Sequence, residues 1–369
     1  MILYTFVLLV LGLYAVQIFV YTLILLFDRR KISENNIVSK KTAILVACRN
    51  EEKNILACLQ SLHAQDYPMT HLEIWIGDDD SSDNTAQIIQ YFIHDKPHFH
   101  YVKITQKLAH LKAKQNVLAQ LAHKTNAEIL LITDADIITP KTWVKTMVSA
   151  FDNEKTGIVC GTTYILPKGF FSTLQSIDWL FYMGIAKSNM NIGFPITAVG
   201  NNMAIRTDAY KKIGGYESIA FSITEDYKLF KEILKQTKYN AKWIYCSQNT
   251  NITYSTSSLL EWLHQRKRWL KGGLELPLSV WILMLFNVCV ELFLYASMAV
   301  NMSFFLSVLF AKTIVNSIFL CVIFAKLNLW KKAWIWSIGL YALYQMWLIP
   351  VLFIYFLLPF KIKWKERTY

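Results

Sequence analysis

The chain has 369 residues, of which 54% are hydrophobic and only 17% are charged, and its formal net charge is +12. This composition is too apolar for an ordinary soluble protein, so we expect membrane-spanning segments. The basic surplus gives no argument for a nucleic-acid partner, because no nucleic-acid-binding motif accompanies it and much of it lies beside apolar runs. The six cysteines form no CxxC pair and are predicted to be buried thiols in a reducing compartment.

The first 27 residues carry no charge and are long enough to cross a bilayer. The basic flank at residues 28–31 would lie in the cytoplasm by the positive-inside rule. A cleaved signal peptide is the alternative, but its positive charges would precede the apolar run, and no small-residue cleavage site is evident. Residues 1–27 are therefore predicted to be a retained transmembrane anchor, followed by a polar linker over residues 32–41.

From residue 42 onward, short apolar runs alternate with helical patterns. Strands are predicted over residues 42–47, 72–77, 101–104, 128–133, 157–161 and 241–246, and helices over residues 54–65, 85–94, 112–123, 140–151 and 257–271. A long amphipathic stretch is predicted over residues 173–190, and another helix begins near Thr224. The βαβα order of the first half predicts an α/β fold with a doubly wound, parallel sheet.

The chain becomes membrane-like again over residues 277–360. Spans are predicted near residues 279–299, 303–325 and 333–358. A cytoplasmic middle domain places the basic loop between the last two spans inside, as the positive-inside rule requires. The basic tail over residues 361–369 would then lie outside, which the rule disfavours, so a re-entrant or interfacial segment is the alternative. The middle domain is predicted to cover residues 42–275.

Two pairs of carboxylates follow predicted strands. Asp78 and Asp79 come after the second strand, and Asp134 and Asp136 come after the fourth. In open α/β sheets, ligands bind beyond the carboxyl ends of the strands. The first pair could accept hydrogen bonds from a ribose or a base, and the second could hold Mg²⁺ or Mn²⁺ through oxygen ligands. The alternative for both pairs is a turn that caps the next helix.

A third acidic motif, Thr224-Glu225-Asp226, opens a predicted helix. A carboxylate beside a sugar site could take the proton from an acceptor hydroxyl as a general base. Alternatively, Thr224 is a helix N-cap and the two acids only complement the helix dipole.

The last helix before the second apolar region carries Gln265-Arg266-Lys267-Arg268-Trp269. Spacings of three and four residues place Gln265, Arg268 and Trp269 on one face, where arginine can clamp diphosphate oxygens. Arg266 and Lys267 are then predicted to point toward lipid headgroups. The alternative is that the whole helix lies on an anionic membrane surface.

With these motifs in order, the chain resembles the membrane-bound family 2 glycosyltransferases of the GT-A fold, which include the cellulose, chitin and hyaluronan synthases. The resemblance covers residues 42–275 and extends to the flanking membrane segments. It rests on the first-strand segment 46–52, the paired-Asp motif over residues 78–85, the DxD of Asp134 and Asp136, the TED and the QxxRW. Cys48 departs from the first motif, and Asp80 stands where glycine is usual. The fold implied is a GT-A doubly wound mixed, mostly parallel sheet flanked by helices.

The resemblance also implies roles on the donor side of the site. Asp79, with Glu51, would contact the nucleoside of the donor. Asp134 would lie near the ribose or the diphosphate, and Asp136, with Asp134, would bind the metal. Lys112 falls where the family has a donor-contacting lysine, but the usual neighbouring glycine is missing, so Lys114 is a rival.

On the acceptor side, Asp226 would deprotonate the acceptor hydroxyl. Gln265, Arg268 and Trp269 would hold the diphosphate and the acceptor end. The chemistry implied is a single inverting displacement at the anomeric carbon.

The expected function is metal-dependent transfer from a nucleotide-sugar, expected to be a UDP-sugar, to a lipid or lipid-linked glycan of the cell envelope. The expected location is the cell (inner) membrane, with several spans and a cytoplasmic catalytic domain. QxxRW is typical of processive synthases, but one span before the domain and about three after it are few for a polymer channel. A processive synthase, a non-catalytic scaffold and a metal-dependent nucleotidyl or phosphoryl transferase are the alternatives.

Overall fold

The structure is a computed structural model that describes residues 1–28, 40–108, 110–330, 332–360, 363–364 and 367–368. Most of the predicted basic flank, linker and basic tail therefore lies outside the described residues. The chain divides into two compact units. The helical unit comprises Met1–Arg29, Ile165–Ile196 and Ser255–Tyr369, and the sheet unit comprises Arg30–Tyr164 and Thr197–Tyr254.

The elements of the first half follow the predicted pattern closely. The helices are α1 (Ile2–Phe27), α2 (Ile55–His63), α3 (Thr85–Ile93), α4 (Ala113–Ala122), α5 (Trp143–Ser149), α6 (Phe170–Asn191), α7 (Thr207–Lys212), α8 (Glu225–Gln236), α9 (Leu259–Gly272), α10 (Leu278–Met298), α11 (Met302–Leu327) and α12 (Lys332–Leu357). The strands are β1 (Thr42–Cys48), β2 (Leu72–Asp78), β3 (Phe99–Lys103), β4 (Ile129–Asp134), β5 (Thr156–Cys160), β6 (Thr163–Ile165), β7 (Met203–Arg206), β8 (Asn240–Trp243), β9 (Asn251–Thr253), β10 (Lys363–Trp364) and β11 (Arg367–Thr368). The predicted strands and helices between residues 42 and 133 are confirmed to within two residues.

Within the described ranges, seven strands form the main sheet in the order β3-β2-β1-β4-β7-β5-β8. Strands β3, β2, β1 and β4 are parallel, and so are β5 and β8, whereas β7 runs antiparallel to both β4 and β5. The expected mixed, mostly parallel sheet is thereby confirmed. Because β1 and β4 are covered on both faces, their side chains form near-continuous apolar runs instead of alternating.

The register of the central strands brings their carboxyl ends side by side. Cys48 at the end of β1 pairs with Asp78 of β2, and Ala47 pairs with Asp134 of β4. Both acidic motifs that follow strands therefore start at the same edge of the sheet. Helix α4, which begins just after Lys112, packs on this part of the sheet through buried Val117 and Leu121.

The stretch predicted over residues 173–190 forms helix α6, but the prediction that it is amphipathic is wrong. Seventeen of its 22 residues are buried, including Gln175, Asp178 and Lys187. Within the helical unit, α1, α11 and α12 pack around it. Its polar side chains therefore face other helices rather than water, which a periodicity argument cannot distinguish from a solvated face.

Among the described residues, four helices are long and apolar enough to cross a membrane. They are Ile2–Phe27, Leu278–Met298, Met302–Leu327 and Ile335–Leu357. Their positions coincide with those of the predicted N-terminal anchor and the three later predicted spans. Strands β6 and β9, which form a separate two-stranded sheet, are not predicted, because three residues are too few to show a period.

Candidate active site

The loops that follow β1 and β2 are tied together by hydrogen bonds. Nη1 of Arg49 donates to the backbone carbonyl of Asp79 at 2.6 Å, and the backbone N–H of Asn50 donates to Oγ of Ser81 at 3.0 Å. The backbone N–H of the next residue, Glu51, donates to Oγ1 of Thr85 at 2.7 Å. The first-strand segment and the paired-Asp motif are thus one interlocked structure.

Glu51 is buried, and its carboxylate is held in place by its own loop. Nδ2 of Asn54 donates to Oε2 of Glu51 at 2.9 Å.

The two carboxylates of the paired-Asp motif have different environments. Asp78 is buried, and its Oδ1 accepts from the backbone N–H of Ser81 at 3.0 Å and from the Ser81 hydroxyl at 2.5 Å. Its Oδ2 accepts from the Tyr101 hydroxyl at 2.9 Å, and burial together with this carboxylate raises the pKa of Tyr101. Asp79 is only half-buried. Asp78 therefore shapes the loop, whereas Asp79 is partly exposed.

The next residue, Asp80, has left-handed backbone geometry, with φ of 59°. Glycine adopts this conformation without steric cost, and aspartate tolerates it better than most residues do. The backbone geometry at this position is therefore compatible with either aspartate or glycine.

Lys114 joins two predicted motifs of the sheet unit. Its Nζ lies 2.5 Å from Oδ1 of Asp134 and 3.2 Å from Oε1 of Glu225. Burial disfavours the charged ammonium, but Asp134, Glu225 and Asp226 together raise the pKa of Lys114 well above its usual value. A permanently cationic side chain therefore links the carboxyl end of β4 to the first turn of α8.

Lys112, which the family resemblance favours over Lys114, has a different environment. It is exposed at the N-cap position of α4, and its Nζ lies 5.6 Å from the ring centroid of Phe221. The sequence spacing is compatible with either lysine as the donor-contacting residue. In the described contacts, Lys114 is the one that meets the predicted site carboxylates.

Asp136 lies two residues beyond Asp134 and is half-buried. The hydroxyl of Thr253 donates to its Oδ2 at 3.5 Å, and the backbones of Ile138 and Ile252 pair nearby. The described residues contain no group of three or more metal-ligating acids, cysteines or histidines. Mg²⁺ is commonly held by one or two carboxylates plus substrate phosphates, so Asp134 and Asp136 fit this type of site.

Asp226 is held at the start of α8 by two backbone N–H groups. Gly200 donates to Oδ2 at 2.7 Å, and Tyr227 donates to Oδ1 at 2.8 Å. Its neighbour Thr224 occupies the N-cap position but makes no side-chain capping bond. Each oxygen of the oriented Asp226 carboxylate thus accepts one backbone N–H bond and retains a further lone pair.

The turn that contains Gly200 is itself anchored to the neighbouring strands. The backbone carbonyl of Asn201 accepts from the Thr133 hydroxyl at 3.0 Å, and Oδ1 of Asn202 accepts from Nε1 of Trp143 at 2.9 Å. The consecutive Gly-Asn-Asn residues are typical of a turn, but they do not indicate the hydrogen bond to Asp226.

In the helical unit, α9 carries the QxxRW motif. Gln265, Arg268 and Trp269 are half-buried, and the Trp269 ring lies 4.8 Å from that of Trp179. The six other predicted site residues, namely Glu51, Asp79, Lys112, Asp134, Asp136 and Asp226, belong to the sheet unit.

The prediction that Arg266 and Lys267 point toward lipid headgroups is wrong. Both are buried within the helical unit. Nη2 of Arg266 donates to Oδ2 of Asp178 at 2.7 Å, and Nζ of Lys267 donates to the backbone carbonyls of Tyr355 and Leu358. The carboxylate of Asp178 on α6 neutralises the charge of Arg266, and carbonyls at the end of α12 accept from the Lys267 ammonium, but the local sequence shows neither partner.

Comparison with known proteins identifies the family. Residues 8–369 match the family described as Glycosyl transferase family 21. The chain belongs to this family. Membership confirms the expected resemblance to membrane-bound glycosyltransferases, with family 21 as the matching family.

Two relatives of this family 21 protein have described activities. It is 28% identical over 249 residues to the beta-monoglucosyldiacylglycerol synthase of Trichormus variabilis, covering 66% of this chain and 51% of that protein. It is 27% identical over 244 residues to the poly-beta-1,6-N-acetyl-D-glucosamine synthase of Staphylococcus epidermidis, covering 64% of this chain and 55% of that protein. The chain thus spans about half the length of the curated relatives it matches.

The fold of the family 21 protein also has a counterpart among solved structures. The mannosyltransferase PcManGT from Pyrobaculum calidifontis, in complex with GDP-Man and Mn2+, matches with a TM-score of 0.53 and 16% identity. The match covers 92% of this chain and 98% of that chain. At this identity the likeness concerns the fold, and it confirms the GT-A-like architecture expected from the motifs.

Proposed function

We propose that this family 21 protein is a membrane-bound, metal-dependent inverting glycosyltransferase. It would transfer a sugar from a nucleotide-diphosphate sugar to a lipid or lipid-linked glycan acceptor. The observation that carries the proposal is the contact of Lys114 with both Asp134 and Glu225, which joins the DxD strand to the TED helix. These contacts connect a residue suited to binding a metal-diphosphate with the first turn of the helix that carries Asp226, the residue suited to act as general base.

On the donor side, Glu51 and Asp79 would accept hydrogen bonds from the nucleoside, with a UDP-sugar as the expected donor. Asp134 and Asp136 would hold Mg²⁺ or Mn²⁺, and the bound ion would stabilise the leaving nucleoside diphosphate as a Lewis acid. Lys114, with Lys112 as the rival, would add positive charge beside the diphosphate.

On the acceptor side, the hydroxyl oxygen would attack the anomeric carbon while its proton passes to the carboxylate of Asp226. The bond between that carbon and the phosphate oxygen would break, and its electron pair would leave with the nucleoside diphosphate. Attack opposite the leaving group inverts the configuration. Gln265, Arg268 and Trp269 would hold the diphosphate and the acceptor end.

The proposed arrangement in the chain is an anchor over residues 1–27, a cytoplasmic catalytic domain over residues 42–275, a transmembrane region over residues 277–360 and a basic tail over residues 361–369. The positive-inside rule supports the cytoplasmic side for the catalytic domain. We expect the protein to reside in the cell (inner) membrane and to act in cell-envelope glycan synthesis.

A lipid or lipid-linked acceptor is favoured for two reasons. A relative named for diacylglycerol glucosylation shares 28% identity, and the four candidate spans found among the described residues are few for a polymer channel. A processive polysaccharide synthase is the second candidate, because a poly-N-acetylglucosamine synthase shares 27% identity over a similar length.

A donor screen tests the proposal. The full chain in lipid vesicles that contain diacylglycerol is incubated with individual nucleotide-sugars and Mg²⁺ or Mn²⁺, and released nucleoside diphosphate is measured. We expect one donor to give release together with a glycosylated lipid. Long polymer would favour the processive candidate, and no release from any donor would contradict the enzyme proposal.

A further inference from the structure

A continuous line of buried polar side chains crosses the helical unit. The Tyr14 hydroxyl donates to Oδ1 of Asn316 at 2.7 Å, and Nδ2 of Asn316 donates to Oε1 of Gln345 at 2.8 Å. Nε2 of Gln345 donates to the Tyr341 hydroxyl at 3.1 Å, and that hydroxyl donates to Oδ1 of Asp178 at 3.3 Å. Such groups are costly to bury unless each finds a partner, so they fix how the helices α1, α11, α12 and α6 meet.

The line ends at an ion pair that reaches α9. Nη2 of Arg266 lies 2.7 Å from Oδ2 of Asp178, whose side chain is 0% exposed. The guanidinium carbon of Arg266 lies 5.4 Å from the ring centroid of Trp262 and 4.8 Å from that of Trp269. A charge-assisted bond on one side and indole rings on the other leave the guanidinium little rotational freedom.

Arg266 lies inside the QxxRW motif without being one of its defining residues. Successive helical residues differ in direction by about 100°, so fixing the direction of Arg266 fixes those of Gln265 and Arg268 as well. Lys267 provides a separate attachment of α9 to the carbonyls near the end of α12. The helix would thus stay attached without the ion pair, but its rotation about its own axis would lose one constraint.

We propose that Asp178 is a positioning residue of the transferase. Through Arg266 it fixes the rotation of α9, and hence the direction of the face that carries Gln265 and Arg268. This role rests on the proposed function, because it matters only if that face contacts the substrates. Asp178 itself touches no reacting atom in this account.

The test requires a control for the general cost of removing a buried ion pair. Nζ of Lys312 lies 2.5 Å from Oε1 of Glu291, and both side chains are almost fully buried between α10 and α11 of the same unit. The neutral pair Glu291→Gln/Lys312→Gln is therefore matched in burial and charge to Asp178→Asn/Arg266→Gln. In each double variant no uncompensated charge is left behind, which keeps the cost to folding small.

The measurement is steady-state kinetics of the full chain in vesicles, with thermal unfolding measured in parallel. For Asp178→Asn/Arg266→Gln we expect kcat to fall by about 100-fold and the donor KM to rise by a smaller factor, because the face that would hold the diphosphate is misdirected whereas the donor contacts in the sheet unit remain. The near-UV circular dichroism of the Trp179–Trp269 pair should change as well. The Glu291→Gln/Lys312→Gln variant should keep the wild-type kcat.

Three outcomes would overturn the positioning role. These are a wild-type kcat in a folded Asp178→Asn/Arg266→Gln protein, an equal loss of kcat in both double variants, and a wild-type kcat in Asp178→Glu. The last variant keeps both charges but displaces the carboxylate, so it remains informative if the neutral pair fails to fold. A wild-type protein that turns over no donor would instead refute the proposed function, and the positioning role with it.

Discussion

The backbone N–H of Gly200 donates a 2.7 Å hydrogen bond to Oδ2 of Asp226, the proposed general base. An ideal Cβ at position 200 would lie 2.7 Å from the Cβ of Asp226 and 2.9 Å from its Oδ2. A side chain at position 200 would therefore displace the Asp226 carboxylate. The glycine of this turn and the acid of the TED motif are one structural unit, although 26 residues separate them in the sequence.

The first prediction follows from this contact. Gly200→Ala should lower turnover by about 10- to 100-fold, because the carboxylate is pushed out of line with the acceptor hydroxyl. Donor binding, measured by titration with a nucleoside diphosphate, should be retained. Gly169→Ala is the matched control, since a Cβ there meets nothing within 4 Å. Wild-type turnover by Gly200→Ala would refute the conclusion that Gly200 fixes the position of the Asp226 carboxylate.

The second prediction separates Lys114 from Lys112. Lys114→Gln removes the cation that Asp134 and Glu225 share, so it should weaken donor binding and cost about 1–3 kcal/mol of stability. Lys112→Gln should change both properties little, because that side chain is exposed. Equal effects of the two substitutions on donor affinity would contradict the assignment.

The same substitution makes a pH prediction. Because the pKa of Lys114 is raised in the folded state, its stabilising contribution is complete below the unfolded lysine pKa of about 10.4. The contribution is lost only as pH rises through the higher, folded value. The melting-temperature difference between wild type and Lys114→Gln should therefore be constant from about pH 7 to pH 9. A difference that shrinks across this range would contradict the raised pKa.

The third prediction concerns the metal. Asp136→Asn should weaken Mn²⁺ binding in the presence of nucleoside diphosphate, because it removes a hard, charged oxygen ligand. Electron paramagnetic resonance of free Mn²⁺ measures this binding without requiring turnover. Asp152→Asn, at an exposed aspartate paired with Lys242, serves as the control. Unchanged Mn²⁺ affinity in Asp136→Asn would remove this residue from the proposed metal site.

The fourth prediction tests the backbone at Asp80. Its φ of 59° is accessible to glycine and tolerated by aspartate, but it is strained for a β-branched residue. Asp80→Gly should keep the wild-type melting temperature, whereas Asp80→Val should cost about 1–2 kcal/mol. If the valine and glycine variants have the same melting temperature, the left-handed conformation is not maintained in solution.

Much of the sheet unit could be predicted from the sequence. Strands β1, β2 and β4 are unbroken apolar runs bounded by polar turns, so pattern alone shows where they end and which carboxylates follow them. The hydrogen bond that Tyr101 on β3 donates to buried Asp78, by contrast, could not be predicted. A hydrogen-bond partner on another strand cannot be identified from the local sequence.

The helical unit was harder to predict for the same physical reason. Polar residues on α6 suggest a solvated face, yet Asp178 meets Tyr341 and Arg266, which lie 163 and 88 positions away in the chain. Arg266 and Lys267 likewise suggest a lipid-facing surface until their buried acceptors are known. In a bundle of membrane-type helices, polar side chains turn inward to partners on other helices, so polarity does not identify the exposed face.

Asp226→Asn tests the central claim most directly, with Asp208→Asn as a control because Asp208 also lies in the first turn of a helix but is exposed. Both variants and the wild type are compared in vesicles for nucleoside diphosphate release and for donor binding. The proposed mechanism predicts that Asp226→Asn binds donor normally but loses nearly all turnover, while Asp208→Asn keeps both. Wild-type turnover by Asp226→Asn would contradict its role as the general base.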